Sequence, residues 1–147
     1  MTKLNYIILP DLNLILDSYS GEINLVEVLR LKGEQAKDPL WNPHFNTLAD
    51  MRIANINFEE EEIETLASYQ VKDNRWASER KTASLTSEAN HVVFETLFNL
   101  LKPKDSKVLV RAFSTLEASL KWLGIEQEKV LFIQEILENL QESANQQ

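Results

Sequence analysis

The chain contains no cysteine, and its 147 residues include only three glycines and four prolines. The lack of cysteine excludes disulfide bonds, thiolate metal sites and cysteine nucleophiles. The three glycines form no G-x-G-x-x-G or P-loop pattern, so the sequence offers no phosphate-cradling loop. Long apolar runs are also missing. The apolar run nearest the start, residues 6–9, is too short for a signal-peptide core or a membrane span. We therefore predict a cytoplasmic protein without membrane insertion.

The chain has few basic residues. It contains 15 lysines and arginines and 23 aspartates and glutamates, which gives a net charge of −8. An acidic surface repels phosphate backbones, so nucleic-acid binding is not expected. The length is that of one ordinary domain, and a hydrophobic content of 44% is sufficient for a core. Two isolated histidines without cysteine do not indicate a metal site, and we expect neither a metal nor a cofactor.

Short apolar runs alternate with amphipathic stretches along the chain. Strands are predicted over residues 6–9, 12–19, 47–51, 81–86 and 108–113. The element order is β-β-α-β-α-β-α-β-α with one further helix. This alternation indicates an α/β fold with a mixed, mostly parallel five-stranded sheet flanked by helices, in which the first hairpin adds an antiparallel edge strand. Residues 1–124 form the predicted domain, and residues 125–147 form a helical extension of it.

Capping residues mark the predicted helix boundaries. Asn24 with Glu27, and Ser114 with Glu117, have the spacing of a capping box. Gly124 suits a left-handed terminator. These signals place the first helix after residue 24 and the fourth between residues 114 and 124.

The helix after the fourth strand has the most apolar sequence. Its predicted buried face consists of Val93, Leu97, Leu100 and Leu101, with Phe94 and Phe98 on the flank. His91, near its start, is predicted to be a surface or capping residue. A general base would also need a nucleophile and an orienting group within hydrogen-bond reach. Ser87 is close in sequence but has no fixed geometry, so a hydrolase or transferase using His91 and Ser87 is only a third alternative.

The element order and the segments at the element boundaries resemble the STAS-like (anti-sigma-factor antagonist-like) fold. The resemblance is strongest to small bacterial proteins described as STAS-like or CRAL-TRIO-like. The resemblance covers about residues 4 to 124. Its segments are the hairpin at 9–12, the Asp38-Pro39 loop, LADMR at 48–52, the strand at 81–85, the helix NHVVFETLFNLL and the unit AFSTLEASLKWLG. It implies a scaffold whose relatives bind protein partners, nucleotides or lipid-like ligands and rarely carry out chemistry.

One feature of the family is missing. Anti-sigma-factor antagonists carry a phosphorylatable serine or threonine in a turn after the central strand. The corresponding stretch here, DMRIAN at residues 50–55, has no hydroxyl and no glycine. A switch by serine phosphorylation is therefore not expected at this turn. The resemblance implies a non-enzymatic regulatory or protein-interaction module with a protein partner.

Candidate ligand-binding residues lie near predicted strand ends and in one loop. In an open α/β sheet, ligands bind outside the carboxyl ends of the strands, where Asp50, Arg52 and Thr86 are predicted to converge. The structural alternative is an ion pair with a helix cap. Trp41 and Phe45 are predicted to cover the sheet edge, or to line an opening for a lipid-like ligand. In the leading hypothesis, a small ligand near Asp50 and Arg52 tunes the interaction module. Trp41 and Phe45 line the mouth in the alternative function, a carrier or sensor of a small apolar or anionic ligand, which requires a pocket of several hundred Å³.

The last helix, predicted over residues 126–140, carries a heptad-like stripe. The stripe consists of Val130, Ile133, Leu137 and Leu140. Two heptads are too few for a coiled coil. The sequence leaves two partners open for this stripe, the domain's own sheet or the same helix of a second copy. In the second case these four residues form the interface of a homodimer.

Overall fold

The computed structural model describes residues 3–76, 78–87 and 89–145, except for the side chains at positions 70, 74, 89, 90, 144 and 145. The strands are β1 (Lys3–Leu9), β2 (Leu14–Ile23), β3 (Asn46–Ile56), β4 (Arg80–Leu85) and β5 (Val108–Phe113). The helices are α1 (Leu25–Lys37), α2 (Glu60–Lys72), α3 (Ala89–Leu101), α4 (Leu116–Trp122) and α5 (Val130–Asn145). The element order is the predicted one.

The five strands form one sheet in the order of the chain, from β1 to β5. β1 is antiparallel to β2, and all other neighbours are parallel. The predicted α/β class and mixed sheet are thus confirmed. The hairpin closes through a short turn in which Asn13 has φ 52° and donates its backbone N–H to the carbonyl of Pro10 at 3.1 Å. Asparagine tolerates this left-handed conformation better than most residues.

Helices cover the sheet on both faces. On the face of α1, α2 and α3, Tyr19 of β2 belongs to the same core as Phe94 of α3. On the face of α4 and α5, Leu14 and Leu16 of β2 share a core with Leu120. Alternate side chains of β2 therefore enter two separate cores. Because both of its faces are covered, residues 14–19 are all buried, including the polar Asp17 and Ser18.

Two central strands are longer than predicted. β2 continues through Ser20-Gly21, where the sequence predicts a break, because a bulge between Ser18 and Ser20 and a φ of 77° at Gly21 accommodate the glycine within the ladder. β3 continues to Ile56, and its last part pairs with β2 alone, since β4 ends opposite Asp50. Asp50 therefore lies in the middle of a strand. The predicted position near a carboxyl end is wrong.

Helix capping follows the prediction at α1 and differs by one residue at α4. Asn24 accepts a hydrogen bond from the backbone N–H three residues later at 2.9 Å. At α4 the cap is Thr115 instead of Ser114, and its Oγ1 accepts from the N–H of Ala118 at 3.2 Å. Two neighbouring hydroxyl residues both fit a cap, so the pattern alone did not select the correct one.

The stripe on α5 packs against the sheet of its own chain. Ile133 and Leu137 have no exposed surface, and Leu140 is buried in the same core as Leu14. Val130 is partly buried against that core. Of the two partners that the sequence left open, the stripe contacts the domain's own sheet. An interface with a second copy would therefore have to use other residues.

Candidate functional site

Asp50 and Arg52, the first predicted ligand-binding residues, form a closed ion pair. Arg52 donates from Nε and Nη2 to the two carboxylate oxygens of Asp50 at 3.0 and 2.9 Å, and from its backbone N–H at 3.2 Å. Gln141 of α5 donates to the same carboxylate at 3.4 Å. The hydrogen bond to Asp50 raises the pKa of Arg52. The Asp50 side chain is 0% exposed, so this geometry supports the structural alternative more than a ligand site.

Ser87 and His91 cap backbone carbonyls of β3 beyond the point where β4 ends. Ser87 Oγ donates to the carbonyl of Arg52 at 2.8 Å, and His91 Nε2 lies 3.0 Å from the carbonyl of Ala54. That contact requires the proton on Nε2. His91 is 1% exposed, so the prediction of a surface histidine is wrong. Ser87 and His91, the two residues of the hydrolase or transferase alternative, therefore connect the start of α3 to β3.

The remaining predicted ligand residues also have structural contacts. Thr86 is buried, and its Oγ1 donates to the carbonyl of Phe113 at 3.2 Å. Trp41 and Phe45 pack in a cluster with Trp76, and the Trp41 and Trp76 rings meet edge to face at 5.3 Å between centroids. This cluster lies on the face of α1, whereas Asp50 contacts α5 on the other face. The structure does not unite the five residues in one site.

A buried polar network on the face of α1 was missed by the sequence reasoning. Asp17 of β2 is 0% exposed and accepts hydrogen bonds from Lys32 Nζ at 2.9 Å and Gln35 Nε2 at 2.5 Å, both on α1. Tyr19 donates its hydroxyl to the same carboxylate at 3.1 Å. Burial lowers the pKa of Lys32, although Asp17 opposes that shift. Asp17, a charged residue inside a predicted apolar strand, is the feature of the sequence that could have indicated this network.

Trp76 packs against Lys32 of this network and against Arg80 of β4. Its ring is 1% exposed, with Lys32 Nζ at 5.2 Å and Arg80 Cζ at 4.4 Å from its centroid. Burial lowers the pKa of Arg80 to about 10, although Asp17 opposes the shift. The network and Trp76 together join α1 to β2 and β4.

The three tyrosines provide a test of these buried contacts. Burial is the main cause that raises the pKa of each, to about 12 for Tyr6, and a neighbouring aspartate adds to it at Tyr6, Tyr19 and Tyr69. For Tyr6, the folded pKa of about 12 exceeds the unfolded value of about 10, so its contribution to stability is complete below about pH 10 and is lost as the pH rises through about 12.

We expect the phenolate absorbance of the folded protein to rise at a higher pH than that of the unfolded chain, whose midpoint lies near about pH 10. Tyr6→Phe should remove a component that titrates near pH 12. A full phenolate step near pH 10 in the folded protein would contradict this prediction.

A small cavity adjoins the polar network, between the sheet and α1, α2 and α3. Its volume is about 60 Å³, room for a few water molecules. Its walls are mostly apolar, and the polar part of the lining consists of Asp17, Lys32, Thr82 and Ser84. A carrier requires a pocket of several hundred Å³, and Trp41 and Phe45 do not line this cavity. The cavity is therefore too small for the lipid-like ligand of the carrier alternative.

The outward face of α3 is apolar. Val92, Val93 and Leu100 are 46%, 55% and 74% exposed. Thr96, between them, donates its hydroxyl to the carbonyl of Val92 at 3.0 Å, so its donor is used within the helix. We call Val92, Val93, Thr96 and Leu100 the α3 surface. α3 carries one charged residue, Glu95.

The predicted buried face of α3 is correct for Leu97 and Leu101, which pack partly buried against the core, and wrong for Val93 and Leu100. His91, Phe94 and Phe98 are buried, while Val93 and Leu100 face outward. Apolar residues occur around most of this helix, so periodicity did not single out one face. The orientation is selected by tertiary contacts, among them the two phenylalanine rings and the hydrogen bond of His91.

A groove lies between α2 and α3, next to the α3 surface. Its volume is about 170 Å³, and it is lined by Ile56, Asn57, Phe58, Ile63, Val93, Phe94 and Leu97. We call it the α2–α3 groove. Four consecutive glutamates, residues 59–62, occupy the start of α2. Glu59 and Glu62 form a capping box, and Glu60 and Glu61 are exposed. The lining of the groove is thus mostly apolar, and the glutamates lie between its lining residues Phe58 and Ile63 in the sequence.

The outer edge of β5 is covered by side chains of the α3 region. Asn99 Nδ2 donates to the carbonyl of Val110 and Lys102 Nζ to the carbonyl of Val108, each at 2.8 Å. Free carbonyls at a sheet edge would accept an added strand. Since these two are occupied, this side of the molecule offers an apolar helix surface instead of a strand edge.

The two histidines lie in different environments. His44 is exposed in the loop before β3, whereas His91 is buried. Within the described ranges, no three histidine, aspartate or glutamate side chains form a group that could hold a metal ion.

No helix in the described part of the chain has the length and apolar character needed to cross a membrane.

The architecture is similar to that of a solved protein. One match is the crystal structure of an uncharacterised DUF3478-family protein with a SpoIIAA-like fold from Shewanella loihica PV-4. Its TM-score is 0.55 and its sequence identity is 12%, and the match covers 84% of this chain and 95% of that chain. The chain has a SpoIIAA-like fold. This confirms the STAS-like resemblance. At this identity the likeness shows the fold alone. No protein-family model and no curated protein matches the chain.

The turn after the central strand lies later in the chain than the sequence predicts. Residues 50–55 lie inside β3, and the connection from β3 to α2 consists of residues 57–59. These residues, asparagine, phenylalanine and glutamate, also carry no hydroxyl. The expectation that this turn lacks a phosphorylatable serine or threonine therefore applies to the observed connection as well.

Proposed function

We propose that the protein is a non-enzymatic regulatory module that binds a protein partner through the α3 surface. The observation that supports this is the set of exposed apolar side chains Val92, Val93 and Leu100 on one helix. Contiguous apolar surface rimmed by polar residues is typical of protein-interaction sites. Complete burial of such a side chain contributes about 1.5 to 3 kcal/mol, so even partial burial of three would favour binding.

The contacts of the chemically active residues support a non-enzymatic role. The Asp50 carboxylate is engaged by Arg52 and Gln141. Ser87 and His91 contact backbone carbonyls of β3. A catalytic base and nucleophile would instead contact each other or a substrate.

Leu100→Glu is expected to abolish partner binding without unfolding the protein. A charge within an apolar interface should weaken binding by about tenfold or more. The free energy of unfolding should change by less than about 1 kcal/mol, since the side chain is exposed. The matched control is Val26→Glu on α1, because Val26 and Leu100 are each 74% exposed.

The measurement is affinity capture of tagged full-length protein from its own host, followed by binding assays with each purified candidate. A partner retained by the wild type and by Val26→Glu, but lost by Leu100→Glu, would support the proposal. If Leu100→Glu binds every captured protein as tightly as the wild type does, the α3 surface is not the binding site.

A further inference from the structure

We propose that the partner presents a basic amphipathic helix, which packs along the α3 surface and inserts one apolar side chain into the α2–α3 groove. This inference rests on the proposed function and adds the chemistry of the partner. It is carried by the spacing of the exposed residues, the lining of the groove and the distribution of charge around it.

The spacing of the exposed residues fits a helix. Val92, Thr96 and Leu100 recur every four positions and form one ridge over two turns, about 12 Å long. Val93 and Leu97 form the adjacent row, which borders the groove. Rows of this kind interdigitate with the ridges of a second helix. An added strand would need free backbone groups, and the nearby carbonyls of β5 are occupied.

The groove offers a place for an anchoring side chain. Its volume of about 170 Å³ is open to solvent, and Phe58, Ile63 and Phe94 form apolar walls. Anchor residues in apolar pockets carry most of the binding energy in helix-in-groove complexes. An aliphatic or aromatic side chain of the partner, one turn from those that contact Val93, would fill this space.

The charge around the groove favours a basic partner. Glu59 and Glu60 directly follow Phe58 and precede Ile63 by about one turn. Contact of this face with a second copy would be isologous and would bring two acidic α2 ends together, in a chain of net charge −8. An anionic membrane would be repelled for the same reason. Lysine or arginine beside an apolar stripe would complement the face.

Two synthetic helical peptides with the same leucine positions, one with lysine and one with glutamate on its flanks, test this inference. We expect the lysine peptide to shift NMR signals of the isotope-labelled full chain in α3 and around residues 57–63. The glutamate peptide should leave them unchanged. Raising the salt concentration should weaken binding of the lysine peptide several-fold.

Glu60→Lys should weaken binding of the lysine peptide by roughly two- to fivefold. Glu135→Lys, at an exposed position on α5, is the matched control with the same change in net charge and should leave the affinity unchanged. Equal effects of the two substitutions would show that net charge, and not the acidic start of α2, determines binding.

The inference is overturned if the two peptides bind alike, if neither perturbs the groove, or if a concentration-dependent dimer is abolished by Leu100→Glu, which would assign the face to a second copy. If Leu100→Glu loses its natural partner while the lysine peptide does not bind, the proposed function stands and only the chemistry of the partner is wrong. If Leu100→Glu keeps all partners and the peptide does not bind, both proposals fail.

Discussion

Lys32→Met is expected to lower the free energy of unfolding by about 3 to 5 kcal/mol. Methionine keeps an unbranched, mostly apolar side chain but removes the ammonium that donates to Asp17 at 2.9 Å. The Asp17 carboxylate, 0% exposed, would then remain buried with Gln35 and Tyr19 as its side-chain donors. Removing one partner of a buried ion pair leaves an uncompensated charge away from water, which costs more than the intact pair contributes.

Denaturant unfolding followed by tryptophan fluorescence measures this loss. The matched control is Lys37→Met, which makes the same chemical change at an exposed position on the same helix and should alter the free energy of unfolding by less than about 0.5 kcal/mol. Equal losses for Lys32→Met and Lys37→Met would show that the buried pair does not determine stability.

This network shows which part of the structure could be predicted from the sequence. A charged residue in the apolar run of residues 12–19 is visible, and so is a lysine on an apolar helix face. Their pairing depends on which face of β2 each side chain enters and on where α1 crosses the sheet. Neither follows from local patterns, whereas the alternation of strands and helices does, because its periodicity is local.

The two errors in the candidate site have different causes. Asp50 was predicted near a strand end because the apolar run stops at residue 51, yet β3 continues by pairing with β2 alone. The prediction places Val93 and Leu100 on the buried face of α3 because apolar residues occur around most of the helix. Tertiary contacts of His91 and Phe98 determine which side is buried. The apolar residues in excess of one buried face include Val93 and Leu100, which are exposed. The proposed function depends on these same residues.

Leu137→Ala is expected to lower the free energy of unfolding by about 3 kcal/mol, by the same amount at every protein concentration. Leu137 is fully buried and shares its core with Leu14 and Leu16 of the same chain. The truncation removes buried apolar surface and leaves a cavity that the rigid strand β2 cannot fill. The matched control is Leu131→Ala on the same helix, at a position 82% exposed, where the loss should be below about 0.5 kcal/mol.

Measuring unfolding at two protein concentrations about a hundredfold apart separates packing within the chain from packing across a dimer. A helix that packs within its own chain gives a midpoint independent of concentration, whereas a helix exchanged between copies gives one that rises with concentration. A concentration-dependent midpoint in the wild type that Leu137→Ala removes would place the stripe of α5 in a dimer interface. A constant midpoint with the full loss at Leu137 would mean that the stripe of α5 belongs to the core of its own chain.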